Sequence, residues 1–443
     1  MKGRGTAGAL LVFCGFGFAA VAQEPPAGPQ ARFDVTQQLR YSDNVDFDED
    51  DDAESDLFGR TVLGFNLESV NSLSRVALNL GADIDEWRED QSTIDVSSYF
   101  GNLLYDRATT NASFGTFLSY READVTSDFN EGDFDQSGNA INQDDGTRET
   151  IDTRVNAAVG LQDPIGASFE AAYREITFSD TDDPDLDDRR DYDILGEINF
   201  RFGPRVTTDL FASYSEVDTF GEGVDRETTR FGSVIGVDVT PTDRVDVSLS
   251  YDEIDRSGTE TGSDDGFSAG IGWERLMPNG TLGATYDSLV SSNEDSRRSE
   301  FRVLRDMELP RGALAFAVGV TGADTVGTDP LIDIDYRYDL PTAILRFGVS
   351  QQVFTDTDND EQINTRLSAS YDQRINSVSS YGISFNFFDR NELQDNPNDG
   401  QRIDFAVSYR YDLTADWGLV SEYRYAFSEE DNDDEDRTSN TIF

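Results

Sequence analysis

The chain of 443 residues has no histidine, one cysteine and one lysine. Each absence removes a class of chemistry. Without histidine, no Ser-His or Cys-His pair can activate a nucleophile, so the common hydrolase machinery is excluded. Lys2 is the only lysine and Cys14 the only cysteine, so the rest of the chain has no amine or thiol side-chain nucleophile and forms no disulfide. Carboxylate chemistry remains, as in glycoside hydrolysis. With 88 acidic residues, however, carboxylate pairs arise by chance and point to no site. An enzyme is not expected.

Long apolar runs are missing too. Beyond residue 22, no stretch approaches the roughly eighteen consecutive apolar residues that a spanning helix needs. Basic charge is scarce: 35 Lys and Arg stand against 88 Asp and Glu, a formal net charge of -53. Such a chain repels phosphates, so nucleic acid is not an expected partner.

What is present begins with a leader. Lys2 and Arg4 precede the uncharged residues 7–20, and Ala20-Val21-Ala22 supplies small residues before Gln23. This pattern predicts a signal peptide over residues 1–22, cleaved near Ala22. Cys14 follows Phe13, where a lipoprotein signal has a small residue, so lipidation is not expected.

The acids gather in clusters at residues 43–56, 180–191, 356–361 and 429–436. Between clusters the chain alternates with period two. Phe33, Val35, Leu39 and Tyr41 oppose Asp34, Thr36, Gln38 and Arg40, and Ile332, Ile334, Tyr336 and Tyr338 oppose Asp333, Asp335 and Arg337. Val76, Leu78, Leu80, Ala82 and Ile84 form a third such row. A sheet between lipid and water requires one apolar and one polar face, although a soluble sandwich shows the same alternation.

The connections separate those two cases. Short turns such as Gly203-Pro204-Arg205, Pro278-Asn279-Gly280 and Pro310-Arg311-Gly312 take turns with long polar loops, notably residues 124–150, 252–265 and 389–400. That asymmetry belongs to transmembrane barrels. Counting both kinds gives an all-β, antiparallel up-and-down barrel of about 22 strands, range 18–24, over residues 33–443. Its short turns would face the periplasm and its long acidic loops the exterior, with residues 23–32 as a short periplasmic segment. Arg305 breaks the pattern, because it shares a face with Phe301, Val303, Met307 and Leu309, and predicts a bulge or a shifted register there.

A weak repeat places one tyrosine at the end of an apolar row before successive loops: Tyr120, Tyr173, Tyr214, Tyr251 and Tyr286. The shared register predicts half of an aromatic girdle, with rings in lipid and hydroxyls at the headgroups. β-propensity alone would also enrich strand tyrosines.

The terminal Phe443, after a short strand, resembles the assembly signal of Gram-negative outer-membrane barrels. Phe33-Asp34-Val35-Thr36 followed by Arg40-Tyr41-Ser42-Asp43-Asn44 resembles the first strand of a family of outer-membrane β-barrel porins often linked to exopolysaccharide systems. The resemblance implies a channel or export role in the outer membrane, with lipid, lipopolysaccharide and the barrel assembly machinery as partners. It transfers no catalytic residue.

Two functions fit this reading. The first is a porin-like channel for small polar solutes or polysaccharide export, lined by Arg40, Arg60, Arg121, Arg154, Arg174, Arg201, Arg302, Arg346, Arg366, Arg410 and Arg424 among inward carboxylates. Those arginines either face rows of opposite sign, creating a transverse field, or simply neutralise neighbouring acids. Residues 124–150, the longest loop, resemble in position the constriction loop of general porins. The second function is a non-transporting surface barrel whose acidic loops bind divalent cations. Asp356, Asp358 and Asp360 resemble the start of a calcium loop but lack its glycine and its distant glutamate, so any Ca2+ or Mg2+ there would be weakly held. No other cofactor is expected.

Overall fold

A computed structural model describes residues 28–44, 53, 55–87, 95–124, 146–181, 188–220, 224–258, 261–290, 297–323, 327–355, 361–392, 400–414, 416–430 and 437–443. These residues form 22 strands and, among them, no helix. The first eight are β1 (Gly28–Ser42), β2 (Asp56–Val70), β3 (Ser74–Trp87), β4 (Asp95–Ala108), β5 (Ala112–Asp124), β6 (Thr147–Val159), β7 (Ile165–Ser179) and β8 (Asp188–Arg201). Next come β9 (Val206–Phe220), β10 (Val224–Asp238), β11 (Asp243–Gly258), β12 (Gly262–Met277), β13 (Gly280–Val290), β14 (Arg297–Leu309) and β15 (Gly312–Ala323). The last are β16 (Gly327–Asp339), β17 (Ala343–Thr355), β18 (Glu361–Arg374), β19 (Ser379–Glu392), β20 (Gly400–Asp412), β21 (Gly418–Glu430) and β22 (Arg437–Ile442).

Each strand pairs antiparallel with the next, and β22 returns to β1, so the sheet closes on itself. A ring of 22 strands spaced about 4.8 Å apart and tilted about 40° is roughly 40 Å across between backbones. Side chains alone do not fill such a bore. The wall, rather than a packed centre, therefore carries the structure.

Register fixes what each face shows. Phe33 opposes Phe65, which opposes Leu80, and this row continues through outward apolar positions such as Leu118, Val155, Leu210, Ile235 and Val247. Many of these side chains are exposed, which in water would cost hydrophobic free energy and in lipid does not. The alternate residues point inward and are mostly Asp, Glu, Arg, Ser, Thr, Asn and Gly.

Local chemistry sets the turns. At Pro278-Asn279 the chain reverses between β12 and β13, and Gly280 has φ 132°; a Cβ there would strike the Asp306 carbonyl. Inside the wall, the Phe100 ring lies over Gly81, in the space that a side chain at Gly81 would occupy. An aromatic covering a strand glycine restores the packing the glycine lacks.

Three expectations need adjustment. β1 begins at Gly28, inside the segment read as preceding the barrel, because Gly28-Pro29-Gln30-Ala31-Arg32 pairs with β2 without showing an apolar row. Residues 252–265 are mostly strand: β11 runs to Gly258 and β12 starts at Gly262, and both faces are polar there, so the stretch reads as loop. At Arg305 there is neither bulge nor shift. Its guanidinium reaches the turn, donating to the Thr281 carbonyl at 2.8 Å and to Asn279 Oδ1 at 2.6 Å. A long stem in lipid with its charge at the rim resolves the conflict.

Candidate functional site: the lumen wall and its rims

The inward face is a lattice of local ion pairs. Many join residues two apart on one strand, which point the same way because the side-chain period is two. Arg154 meets Asp152 at 3.1 Å, Arg189 meets Asp191 at 2.8 Å, Arg302 meets Glu300 at 3.1 Å, and Arg424 meets Glu422 at 3.1 Å. Others cross between strands, as Arg60 with Asp85 at 2.7 Å, Arg346 with Asp372 at 3.0 Å and Arg174 with Asp152 at 3.5 Å. Opposite charges this close cancel over a few ångströms, so the wall offers many hydrogen-bonding groups and little net field.

Register places all eleven arginines read from the sequence on this inward face. Arg40 opposes Phe58, Arg121 opposes Phe100, and Arg366 opposes Phe388, over whose ring its guanidinium lies at 5.4 Å. Arg201 and Arg410 stand at the short-turn end, where Arg201 donates to the Asp163 carbonyl at 2.7 Å and Arg410 to Asp412 at 3.0 Å. Arg60, Arg154, Arg174, Arg302, Arg346, Arg410 and Arg424 each pair with a neighbouring carboxylate, whereas Arg40 bonds Gln38, Arg201 bonds backbone carbonyls and Arg366 lies over Phe388.

Sequence reasoning missed the most buried charged group of the wall. Asp252 is fully buried, accepts from Arg230 Nε at 2.6 Å and from Ser250 Oγ at 3.0 Å, and also meets Ser268. Arg256 meets Asp264 on the neighbouring strands. Inward parity would have found Arg230 on β10, and Arg256 too had the upper parts of β11 and β12 been read as strand.

On the outer face, the girdle tyrosines turn toward carboxylates on the same face. Tyr120, Tyr173 and Tyr214 donate to Glu122, Glu175 and Glu216, each at 2.7 Å, and Tyr251 donates to Asp265 at 2.7 Å. Tyr99 also donates to Glu122. Tyr286 faces outward, opposite Phe301. A second aromatic band, unnoticed in the sequence, lies near the short turns and includes Phe200, Phe202, Trp273, Tyr336, Tyr338 and Trp417. From Tyr192 to Phe200 on β8 the span is roughly 27 Å along the strand and about 20 Å along the axis, close to the apolar band of about 25 Å in such barrels.

Phe443 exchanges backbone bonds with Glu422, and the Arg40 guanidinium lies 4.9 Å from its ring centre. Asp356, Asp358 and Asp360, most of residues 124–150, and residues 1–22 lie outside the described residues.

An apolar outer band between two aromatic rims and a hydrophilic inner face define a membrane-spanning barrel of the outer-membrane type. Solved structures agree on the fold. The FrpB iron transporter from Neisseria meningitidis, F5-1 variant, aligns with TM-score 0.56 and 9% identity over 94% of this chain and 82% of that one. The siderophore receptor PirA from Acinetobacter baumannii aligns with TM-score 0.52 and 8% identity over 94% and 80%. The copper transporter OprC aligns with TM-score 0.50 and 10% identity over 94% and 80%. No protein-family model matches the sequence, and no curated protein does.

Proposed function

We propose that the chain is an outer-membrane channel through which polar solutes pass passively. The observation that carries this reading is the inner face, where ion pairs such as Arg154–Asp152 and Arg302–Glu300 alternate with serine, threonine and asparagine around a bore of 22 strands. Hydroxyls and paired charges hydrate a pore without holding a single solute tightly, and conduction needs that balance. The structural neighbours named above transport iron or copper or receive a siderophore. Their fold makes transport a natural use of this barrel.

Passage is porin-like on this reading, set by bore and by weak electrostatics, and a polar polymer such as a polysaccharide could use the same wall. Swelling of proteoliposomes in isotonic solutions of neutral sugars of increasing size tests the proposal. Swelling that slows gradually with sugar size supports it. Vesicles that stay as tight as protein-free ones to the smallest sugar contradict it.

A further inference from the structure

Arg174 and Asp191 stand directly opposite each other on β7 and β8, both facing the lumen, yet each bonds a different neighbour. Arg174 turns to Asp152 on β6 at 3.5 Å, and Asp191 takes Arg189 of its own strand at 2.8 Å. Each is left with one enclosed polar atom that has no hydrogen-bond partner among the described residues: Arg174 Nε, a donor, and Asp191 Oδ2, an acceptor. Thr219 Oγ1 on β9 is a third. Thr219 lies two residues along β9 from Val217, which opposes Asp191, and such diagonal neighbours are about 7 Å apart. Asp191 is 7% exposed and Thr219 6%, so water does not serve them from the lumen. Folded proteins rarely leave buried polar groups unmet, because the lost hydration is not recovered. The fully buried Asp252 farther round the wall, by contrast, has a partner for both of its oxygens.

The three groups lie at the level of the tyrosine rim, since Tyr173 and Tyr192 oppose each other on the outer side of the same two strands. One inward position nearer the short turns, Arg154, Ala172, Asp193 and Ser215 are successive neighbours across β6–β9, a row about 14 Å long. Asp193 is exposed to the lumen and makes no hydrogen bond or ion pair among the described residues. Small side chains, Ala172 and Ser215, flank it on both sides, so the row forms a shallow recess that leads up to the three unmet groups. Around it, Arg154, Arg174 and Arg189 balance Asp152, Asp191 and Asp193. With the charges matched, the recess singles out neither a bare cation nor an anion.

We propose that this recess binds a neutral polyhydroxylated solute, a sugar, through a hydroxyl held between Arg174 and Asp191. The hydroxyl oxygen accepts from Arg174 Nε while its hydrogen is donated to Asp191 Oδ2. A single atom that both accepts and donates meets both needs, whereas a carboxylate only accepts and an ammonium only donates. A second hydroxyl of the same molecule reaches Thr219 Oγ1, which can take either part. Asp193 and Ser215 bond hydroxyls farther down the ring, and Val217 offers methyl groups to its C–H face. The inference rests on the lumen being a passage for polar solutes and adds a place where one class of them pauses. Such binding is weak and reversible, as conduction requires.

The test uses the full chain in detergent micelles with the neutral disaccharide trehalose as probe, and saturation-transfer NMR reads binding whether or not the lumen conducts. Trehalose should bind saturably. Asp191→Asn should weaken it by about tenfold or more, as loss of a charge-assisted hydrogen bond does, and Thr219→Val by about threefold, as loss of a neutral one does. Asp193→Asn, on the exposed floor, should also weaken it and serves if Asp191→Asn does not fold. In a planar bilayer the same sugar should reduce the current, less so in the variants. No current with sugar still bound defeats the passage reading alone, and current without saturable sugar binding overturns the recess alone. Unchanged affinity in the variants would mean that the three atoms hold a bound water only, and overturns the proposal. So does an equal loss on Asp404→Asn, far round the wall on β20, or glycine that competes as well as a second sugar.

Discussion

Arg230 and Asp252 stand directly opposite each other on β10 and β11, with the guanidinium Nε 2.6 Å from a carboxylate that is fully buried. The carboxylate also takes a bond from Ser250 at 3.0 Å and meets Ser268, whose hydroxyl accepts the Val290 amide at 3.0 Å. One buried acid thus ties β10, β11, β12 and the end of β13 together. It is the most demanding charge in the wall, because removing its partner leaves it both desolvated and unpaired.

Replacing Arg230 by leucine should therefore destabilise the barrel by about 3 kcal/mol or more, the usual cost of stranding a buried charge. Asp252→Asn, which keeps the serine partners, should cost less, and the double variant less than the sum of the two. Urea unfolding from lipid vesicles measures all three. Additive losses would show that the pair is not coupled.

Arg305 lies on the lipid face but bonds the turn at Thr281 and Asn279. Arg305→Leu should change stability by no more than about 1 kcal/mol, since the charge already sits at the interface. Val303→Arg, one outward position deeper, should cost about 2–4 kcal/mol. Equal losses in the two variants would place Arg305 at the membrane centre instead.

The tyrosine rim ties ring to carboxylate. Tyr173→Phe removes the 2.7 Å bond to Glu175, which also accepts from Arg190 at 2.8 Å, so the expected loss is about 1 kcal/mol. Tyr286→Phe should cost nothing measurable by comparison. Thermal unfolding of the two proteins side by side checks the difference, and equal shifts would contradict it.

Much of this architecture was legible in the sequence. Period-two rows such as Phe33, Val35 and Leu39, and the alternation of Gly203-Pro204-Arg205 turns with long polar stretches, carried the strand count and the inward parity of eleven arginines. The two misread strand boundaries share one reason: the pattern is visible only where one face meets lipid. Above the membrane, Asp252 to Gly258 and Gly262 to Asp264 are strand with charge on both faces, and they read as loop. At the other end, Gly28-Pro29-Gln30 pairs with β2 by backbone alone. The ion pairs were half legible, since Arg-Xaa-Asp spacing on one strand gives pairs such as Arg402–Asp404 at 3.2 Å, whereas Arg60–Asp85 at 2.7 Å depends on a register that skips one residue at Gly59.

Those pairs also make the lumen adjustable. Arg154 and Arg174 share Asp152, at 3.1 and 3.5 Å. Arg154→Ala with Arg174→Ala leaves that carboxylate uncompensated and should raise the preference for potassium over chloride several-fold at low salt, whereas Asp152→Asn should lower it. Reversal potentials across a potassium chloride gradient report both signs. A preference that moves the same way in both variants would mean that this cluster does not line the conducting path.

The open lumen itself is tested most directly by the purified chain in a planar lipid bilayer. The account predicts stepwise, persistent conductance with a weak preference for cations, because the wall charges are paired while the chain as a whole carries -53. That preference should fade as ionic strength rises and the screening length falls from about 10 Å at 0.1 M toward about 3 Å at 1 M. Inserted, heat-modifiable protein that passes no current at any salt concentration would contradict it.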